Sequence, residues 1–249
     1  MTQKERIQTI TGILQKNGFV TVKFLTQELH YSTATINRDL NAMQKQQIIR
    51  RSYGGAELVE AKTVPLLFRY SKMRPAKNKI GKKAAEFIRD GDTVFIDCST
   101  TAQYIGKYIT DRKNLTVITN NLSLASFLSE YGVTAICLGG QITEPPAMVY
   151  SRETVESVRR YGADKLFFSA CAVTEDGKIG CSHSEMHSLV IRAMLENAQK
   201  SYFLIDHEKL APGCRQYLAT LGDADTVIAD FAFSGEVKER FPDTAFVEV

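Results

Sequence analysis

The sequence predicts an α/β protein in two parts: an N-terminal winged helix-turn-helix domain, followed by a mostly parallel, doubly wound α/β domain. Apolar residues recur at helical spacing in residues 1–58, whereas short apolar strands alternate with helical patterns after Gly91. The net charge also changes, from +4 in residues 1–58 to +7 in residues 59–83 and −8 in residues 84–249. A basic front and an acidic rear indicate two domains with different partners.

Length and composition suit two folded domains. The chain has 249 residues, 44% of them hydrophobic, and we expect domains over residues 1–58 and 77–249 with a basic linker over 59–76. No apolar run reaches the roughly 18 residues that span a bilayer, and the N-terminus lacks the apolar core of a signal peptide. We therefore expect a cytoplasmic protein. The five cysteines form no C-x-x-C pair, which is typical of reduced thiols.

Three helices are predicted before residue 46. The first covers residues 4–16, and the second follows Thr21, which we expect to be its N-cap. Ser32 is expected to cap the third helix. Its inward face carries Ile36, Leu40 and Met43. Helix, helix, short turn and helix is the layout of a helix-turn-helix motif.

The outward face of the third helix and the segment after it suit nucleic acid. The more outward residues of this helix are Thr33, Ala34, Asn37, Arg38 and Asn41. Hydroxyl, amide and guanidinium groups suit base edges and phosphates. Residues 48–51 and 56–58 are predicted to pair as a hairpin, the wing. Two other interpretations stay open here: a solvated charged surface, or a winged helix that binds protein.

The stretch FVTVKFLTQELHYSTATINRDLNAMQKQQIIRRSYGGAEL resembles the N-terminal domain of DeoR-type bacterial transcriptional regulators. That family typically shows Ser-x-x-Thr-Ile-Arg-Arg-Asp-Leu in its recognition helix and Arg-x-x-Gly-Gly-Ala in its wing. The matching residues are Ser32, Thr35, Ile36, Arg38, Asp39, Leu40, Arg51, Gly54, Gly55 and Ala56. Asn37 departs from the pattern, because the family usually has the first of two arginines there. The departure implies an altered operator preference, since Asn also reads base edges.

These observations together predict binding to double-stranded operator DNA. We expect the helix residues nearest the DNA to be Ser32, Thr33, Thr35, Asn37 and Arg38. The wing is expected to add Arg50, Arg51 and Tyr53. After the wing, Pro65 and Pro75 are expected to break helices in the linker. Lys77 matches a lysine that the family usually has at the start of the next helix, although this basic segment also fits solvated lysines.

Apolar strands and helices alternate in the rest of the chain. Strands are predicted at 93–97, 115–119, 134–138, 165–170, 201–205 and 226–230, and helices at 101–109, 121–130, 152–160 and 184–198. This alternation is typical of a mostly parallel sheet with helices on both faces. In such sheets ligands bind at the carboxyl ends of the strands.

Polar residues follow several of these strands. They are Asp97, Ser99, Thr100 and Thr101; Thr119, Asn120 and Asn121; Gly139 and Gly140; Asp206 and Lys209. Hydroxyls and backbone N–H groups at a helix N-terminus bind phosphate, and glycine lets backbone approach a ligand. The strand ends therefore predict one polar, phosphate-binding pocket, although each motif alone also fits a helix cap.

Residues 77–230 resemble the effector-binding domain of the DeoR family, whose fold is similar to ribose-5-phosphate isomerase. The matching motifs are Asp97, Thr100, Thr101, Thr119, Asn120, Gly139, Gly140, Arg192-Ala193-Met194, Asp206 and Lys209. Ser99, Ile191 and residues 169–173 depart from the family pattern, which implies a changed pocket wall. Arg152, where the family usually has glycine, is expected to reach a phosphate or to start a helix.

The resemblance implies a repressor of a carbohydrate-metabolism operon, controlled by a phosphorylated sugar or related metabolite and needing no cofactor. The expected effector site contains Asp97, Ser99, Thr100, Thr101, Asn120, Asn121, Gly139, Gly140, Arg152, Glu185 and Lys209. Operators are commonly repeated, so a homodimer or homotetramer is expected.

Three alternatives remain at this level. A sugar-phosphate isomerase-like enzyme would need a general base, and Asp97 and Glu185 are the candidates. A metal site is conceivable because Cys181, His183, Glu185 and His187 occupy alternate positions, which an extended segment would place on one face. A DNA-binding protein that takes no ligand is the third, with the pocket residues structural.

Overall fold

The computed structural model describes residues 2–17, 19–45, 48–52, 54–58, 73–144, 148–181, 185–211, 213–214 and 216–249. Contacts divide the chain into two compact units, Met1–Arg69 and Tyr70–Val249. Most of the predicted linker, residues 59–72, lies outside the described residues. Among the helices of the described segments, none is long and apolar enough to cross a membrane.

The first unit is a winged helix-turn-helix, as predicted. Its elements are α1 (Gln3–Asn17), β1 (Phe19–Thr21), α2 (Val22–Leu29), α3 (Thr33–Lys45), β2 (Ile49–Ser52) and β3 (Gly55–Leu58). Thr21 caps α2 by accepting a hydrogen bond from the Phe24 amide at 3.1 Å. The strand β3 lies between β1 and β2, so that the wing hairpin is extended to three antiparallel strands.

A small apolar core holds this unit together. It contains Ile10, Leu14, Val20, Leu25, Ile36, Leu40, Met43, Ile48, Ile49 and Ala56. The predicted inward face of α3 is therefore confirmed. Asp39 on the same helix is fully buried and pairs with Arg6 of α1 at 2.5 Å. This ion pair connects α1 to α3 beside the apolar core.

The second unit is built on seven parallel strands. They are β4 (Thr93–Ile96), β5 (Thr116–Thr119), β6 (Thr134–Cys137), β9 (Ala163–Ser169), β12 (Ala198–Ile205), β14 (Thr226–Ala229) and β15 (Ala245–Glu248). Their order across the sheet is β15-β14-β12-β9-β4-β5-β6. The chain therefore winds in both directions from β4, and the switch point lies between β4 and β9, where ligands bind in doubly wound folds.

Helices cover this sheet. The α-helices are α4 (Arg74–Ala85), α5 (Leu122–Glu130), α6 (Arg152–Val158), α7 (Glu185–Glu196) and α8 (Gly235–Arg240). One core cluster joins α4 and α5 to alternate strand residues such as Val94, Ile96 and Phe167. The intervening strand residues face the opposite side, where α7 packs against β9 and β12. The predicted doubly wound α/β architecture is confirmed.

The structure differs from the expected elements in several places. Residues Ala102–Tyr108 form a 3-10 helix instead of an α-helix; Gly106 inside it lowers the α-helical propensity. Pro75 does not break a helix but lies in the first turn of α4, where its missing N–H costs nothing. Two antiparallel sheets have strands that are too short, or too often interrupted by polar residues, for the apolar pattern to reveal. One pairs β7 (Ile142–Glu144) with β8 (Met148–Val149), and the other contains β10 (Ala172–Val173), β11 (Lys178–Cys181) and β13 (Gln216–Thr220).

Candidate functional site

The recognition helix α3 begins with a local hydroxyl network. The Ser32 Oγ accepts a hydrogen bond from the Thr35 amide at 3.2 Å and lies 2.9 Å from the Thr35 Oγ1. Ser32 therefore caps the helix as predicted, and both hydroxyls already have a partner within the protein. Thr33 and Arg38 are exposed beside them. The role of all four residues toward DNA stays a prediction.

A shallow depression runs along the exposed side of α3. Its lining residues are Gln3, Ala34, Asn37, Arg38, Asn41, Ala42 and Lys45. Within the described part of the chain, no hydrogen bond engages the Arg38 guanidinium, so that it extends from the protein into solvent. Gln3, Asn41 and Lys45 were not among the expected DNA-contacting residues. For Gln3 the reason is that the sequence does not show that the start of α1 lies beside α3.

The two wing arginines are held differently. Arg50 is exposed and pairs with Glu57 across the hairpin at 2.8 Å. Arg51 turns toward α3 and donates to the side-chain oxygens of Asn37 at 2.5 Å and Asn41 at 2.7 Å. Tyr53, the third wing residue expected to touch DNA, lies outside the described residues.

In the second unit, the residues after β4 form a tight polar turn. Asp97 is fully buried, and its Oδ1 accepts from the Ser99 amide at 3.1 Å and the Ser99 hydroxyl at 2.5 Å. Its Oδ2 accepts a longer bond from the Ser169 amide. Burial raises the pKa of Asp97 to about 6, although these hydrogen bonds and the Lys209 charge oppose the shift. Ser99 also accepts from the Ala102 amide at the start of the 3-10 helix.

Two lysines reach the neighbouring threonines. The Lys77 Nζ donates to the Thr100 Oγ1 at 3.0 Å, and the Lys209 Nζ donates to the Thr101 Oγ1 at 3.1 Å. Lys209 also donates to the Ser169 Oγ at 2.8 Å. Lys77 is 4% exposed. We call the group Lys77, Thr100, Thr101, Ser169 and Lys209 the lysine–threonine cluster.

This cluster joins elements that are distant in the sequence. Lys77 lies on α4, the threonines follow β4, Ser169 ends β9, and Lys209 follows β12. The carboxyl ends of three adjacent parallel strands thus meet at the switch point. Asp206 lies beside Lys209, with 3.7 Å between the Oδ2 and Nζ atoms. A buried and a partly buried ammonium group that both donate to hydroxyls form a site suited to an anion.

The asparagines after β5 have separate tasks. Asn121 caps α5 by accepting from the Leu124 amide at 3.0 Å, and its Nδ2 donates to Gln103. The Asn120 Nδ2 donates to the Val149 carbonyl at 2.9 Å. The Asn120 Oδ1 is buried and has no hydrogen-bond partner among the described residues. Such an acceptor costs free energy unless a ligand or water donates to it.

Gly139 and Gly140 follow β6, and the packing around Gly140 has a structural cause. Gly140 has φ +142, and a Cβ there would lie 2.3 Å from the Thr154 Oγ1 and 2.5 Å from the Ser151 Oγ. These hydroxyls belong to the capping box of α6. The Thr154 hydroxyl donates to the Gly139 carbonyl at 2.9 Å. Glycine at 140 therefore accommodates the start of α6, which is sufficient to explain it without a ligand.

Arg152 and Glu185 lie apart from this network. They are the exposed first residues of α6 and α7. In the described portion of the chain, no hydrogen bond connects either one to the lysine–threonine cluster. Their assignment to the effector site stays a prediction without support from these contacts.

The metal-site alternative assumed an extended segment, and the described part of this segment is not extended throughout. Cys181 ends the strand β11, whereas Glu185 and His187 lie on the helix α7, Glu185 exposed and His187 buried. Residues two apart on a helix point in different directions. His183 lies outside the described residues. Among the residues described, no group of three His, Cys, Asp or Glu side chains is arranged to hold a metal ion.

Sequence reasoning missed two members of the cluster. Ser169 belongs to a segment that was noted only for its departure from the family pattern. Lys77 was noted as a family match but was not included in the site. The signal that pointed to Lys77 was its match to a lysine that the family usually has at the start of this helix, whereas its contact with Thr100 depends on how α4 packs on the sheet.

The comparisons with known proteins extend over both units. A model of the DeoR-like helix-turn-helix domain matches residues 6–62, and a model of the DeoR C-terminal sensor domain matches residues 72–231. Among solved structures, ribose 5-phosphate isomerase A from Methanocaldococcus jannaschii is similar, with 17% identity and a TM-score of 0.42 over 56% of this chain and 55% of that one.

Curated relatives match along nearly their whole length. The HTH-type transcriptional repressor GlcR of Bacillus subtilis is 32% identical over 100% of this chain and 93% of its own. The glycerol-3-phosphate regulon repressor of Escherichia coli is 27% identical over 92% of each chain. The lactose phosphotransferase system repressor of Lactococcus lactis is 29% identical over 97% of this chain and 96% of its own.

Proposed function

The chain belongs to the DeoR family of transcriptional regulators, and on that premise we propose that it represses a carbohydrate-metabolism operon under the control of a phosphorylated sugar or related metabolite. It is a DNA-binding protein with a C-terminal sensor domain. The relatives' names support the carbohydrate assignment, since two of them are repressors of the glycerol-3-phosphate regulon and of a lactose phosphotransferase system.

The lysine–threonine cluster is the observation that carries the sensor proposal. Two ammonium groups end on adjacent hydroxyls at the switch point, with Nζ–Oγ1 distances of 3.0 and 3.1 Å. A phosphate that reaches both lysines would form charge-assisted hydrogen bonds with them, which are stronger than hydrogen bonds between neutral groups. Thr100 and Thr101 then supply hydroxyls to the same anion.

The groups beside this cluster suit the rest of a sugar. Asn120 presents a buried oxygen that accepts no hydrogen bond from the described residues, and a sugar hydroxyl is a suitable donor to it. Asp97 and Asn120 directly follow the adjacent strands β4 and β5. We include Ser99, Asn121, Gly139, Gly140, Arg152 and Glu185 in the wider proposed site.

The alternative of catalysis has little support. The relatives are repressors, and Asp97, the candidate base at the pocket, is engaged by the protein itself. Asp97 accepts three hydrogen bonds from Ser99 and Ser169, so that most of the acceptor positions of its carboxylate are already used. Glu185, the other candidate base, is exposed and outside the cluster. We propose a binding role for this pocket.

The DNA-binding half of the proposal uses the exposed face of α3. Thr33 and Arg38 face solvent there, and Asn37 and Arg38 line the shallow depression. We propose that these side chains enter the major groove and that Arg50 contacts the DNA backbone from the wing. We also propose a cytoplasmic homodimer or homotetramer, because repeated operator half-sites require symmetric readers.

A ligand panel tests the sensor proposal. Thermal unfolding of the full-length protein would be followed with glucose 6-phosphate, fructose 6-phosphate and glycerol 3-phosphate, with their unphosphorylated counterparts and inorganic phosphate as controls. A ligand that binds only the folded state raises the unfolding temperature by mass action. We expect shifts with at least one phosphorylated compound and none with its unphosphorylated counterpart. A shift confined to unphosphorylated sugars, or equal shifts in every pair, would contradict the phosphate assignment.

A further inference from the structure

Arg51 of the wing forms hydrogen bonds with two side chains of the recognition helix. Its Nη2 donates to the Asn37 Oδ1 at 2.5 Å, and its Nη1 donates to the Asn41 Oδ1 at 2.7 Å. Asn37 and Asn41 lie four residues apart on α3, so they share one face of the recognition helix. One guanidinium therefore connects the wing to two consecutive turns of the helix.

The donor-only chemistry of arginine fixes both amides. A guanidinium has five N–H donors and no acceptor, so the oxygen of each amide must face Arg51. In each asparagine the oxygen contacts the guanidinium, and the NH₂ group consequently points away from it. Without Arg51, each amide could rotate and exchange its donor and acceptor ends. That exchange matters in the major groove, where bases differ by their donor and acceptor patterns.

We propose that Arg51 is a positioning residue for base recognition, which acts through Asn37 and Asn41 by fixing the end of each amide that faces the DNA. The inference rests on the DNA-binding function of α3. It gives Arg51 a different task from Arg50, which is exposed and paired with Glu57 on the wing. It also changes the sequence-based expectation that both wing arginines contact the DNA directly.

Charge alone does not account for this arrangement. Both partners of Arg51 are neutral amides, so the two bonds fix the position of the guanidinium but leave its charge in place. An arginine that only contacts a DNA phosphate would not need these two hydrogen bonds to the helix. Lysine at position 51 would retain the positive charge, but a single ammonium on a flexible stem lacks the planar fork that spans two amides.

Selection from random DNA tests the proposal without a known operator. The full-length protein would enrich 30-base-pair duplexes with a randomised centre, and sequencing would give base preferences for the wild type, Arg51→Lys, Arg51→Ala and Arg50→Ala. Arg38→Ala serves as the reference for loss of a direct contact. The affinity for the selected wild-type site would then be measured over a range of salt concentrations.

We expect Arg51→Lys to lower base discrimination at one or two positions by at least about fivefold, the size of one good amide–base contact. Its salt dependence should stay that of the wild type, because the charge is retained. Asn41→Ala should reduce discrimination at a subset of the same positions. Arg50→Ala should weaken binding to all sequences alike and reduce the salt slope by about one ion.

Two results would overturn the inference. One is an unchanged base-preference profile for both Arg51 variants. The other is a uniform loss of affinity in Arg51→Ala with a reduced salt slope, fully restored by Arg51→Lys, which is the signature of a phosphate contact. Failure of the wild type to enrich any sequence would instead contradict sequence-specific DNA binding itself, so that the two failures are distinguishable.

Discussion

At the scale of single residues, Asp97 shows how burial and hydrogen bonding compete. Burial raises the pKa of its carboxyl to about 6, although Ser99 and Ser169 donate to it and Lys209 lies nearby. The proton therefore leaves Asp97 in the unfolded chain at a lower pH than in the folded protein. The stabilisation from this group is fully present below about pH 4 and is lost as the pH rises through about 6.

This titration predicts a pH-dependent difference between the wild type and Asp97→Asn. The variant keeps the shape but cannot ionise, so its unfolding free energy relative to the wild type should increase between pH 4 and pH 7, by at most roughly 3 kcal/mol. Scanning calorimetry of the full chain across this range measures the difference. Asp243→Asn, which neutralises an exposed carboxylate, is the matched control. If the difference in unfolding free energy from the wild type does not change with pH for either variant, Asp97 has an ordinary pKa.

At the scale of elements, α3 has to be held firmly because it carries the DNA-reading side chains. The buried carboxylate of Asp39 accepts from Arg6 at 2.5 Å and 3.1 Å and from the Gln3 side chain at 3.1 Å. The Arg6 guanidinium also lies over the Tyr31 ring, 4.6 Å from its centre. These contacts fix α1 and the turn before α3 against the recognition helix, so that Asp39 serves packing and not DNA contact.

We expect Asp39→Ala to destabilise the winged helix-turn-helix unit by roughly 3–5 kcal/mol, because it removes the carboxylate that receives a buried arginine. On mild heating the variant should lose operator binding in a mobility-shift assay, while calorimetry should show that the second unit stays folded. Glu57→Ala breaks the exposed Arg50–Glu57 pair and should cost less than about 1 kcal/mol. Equal effects of the two substitutions would contradict the structural role of Asp39.

At the scale of the whole molecule, the chain separates DNA reading and ligand sensing into two units. Residues 1–83 are strongly basic, whereas residues 84–249 carry a net charge of −8. The basic part suits the DNA backbone, and the acidic part makes the second unit a poor competitor for DNA. A ligand in the second unit alters DNA affinity only if it binds two arrangements of the chain with different affinity.

The double substitution Thr100→Ala with Lys209→Ala tests this separation. It removes two members of the lysine–threonine cluster and none of the side chains on α3, so operator affinity without ligand should stay within about twofold of the wild type. The response to the active sugar phosphate should fall by more than about tenfold, since one lost charge-assisted bond costs about 1.5–3 kcal/mol. Mobility-shift titrations with and without the ligand measure both quantities.

The matched control for this experiment is Lys113→Ala with Thr134→Ala, which removes the same two residue types from exposed positions. It should respond to the ligand as the wild type does. A full ligand response in the cluster variant would place the effector elsewhere, and loss of DNA binding without ligand would show that the two units are not separable in this way.

The sequence by itself determined the local features of this protein. Apolar spacing predicted α1, α2 and α3, and the capping roles of Thr21 and Ser32 followed from hydroxyls placed before apolar helices. Alternating apolar strands and helices predicted the parallel sheet. These features depend on residues within a few positions of one another, so that periodicity and side-chain chemistry are sufficient to reveal them.

The tertiary structure alone decided which distant residues meet. Lys209 reaches Thr101 across 108 positions, and Arg51 crosses from the wing to Asn37. Strand order and helix packing set these contacts, and a single sequence does not record them. The same reason applies to Gly140, where the packing of Ser151 and Thr154 leaves no room for a Cβ atom. Residue types predicted a phosphate-binding pocket, and the strand order brings Thr101, Ser169 and Lys209 together at its proposed position.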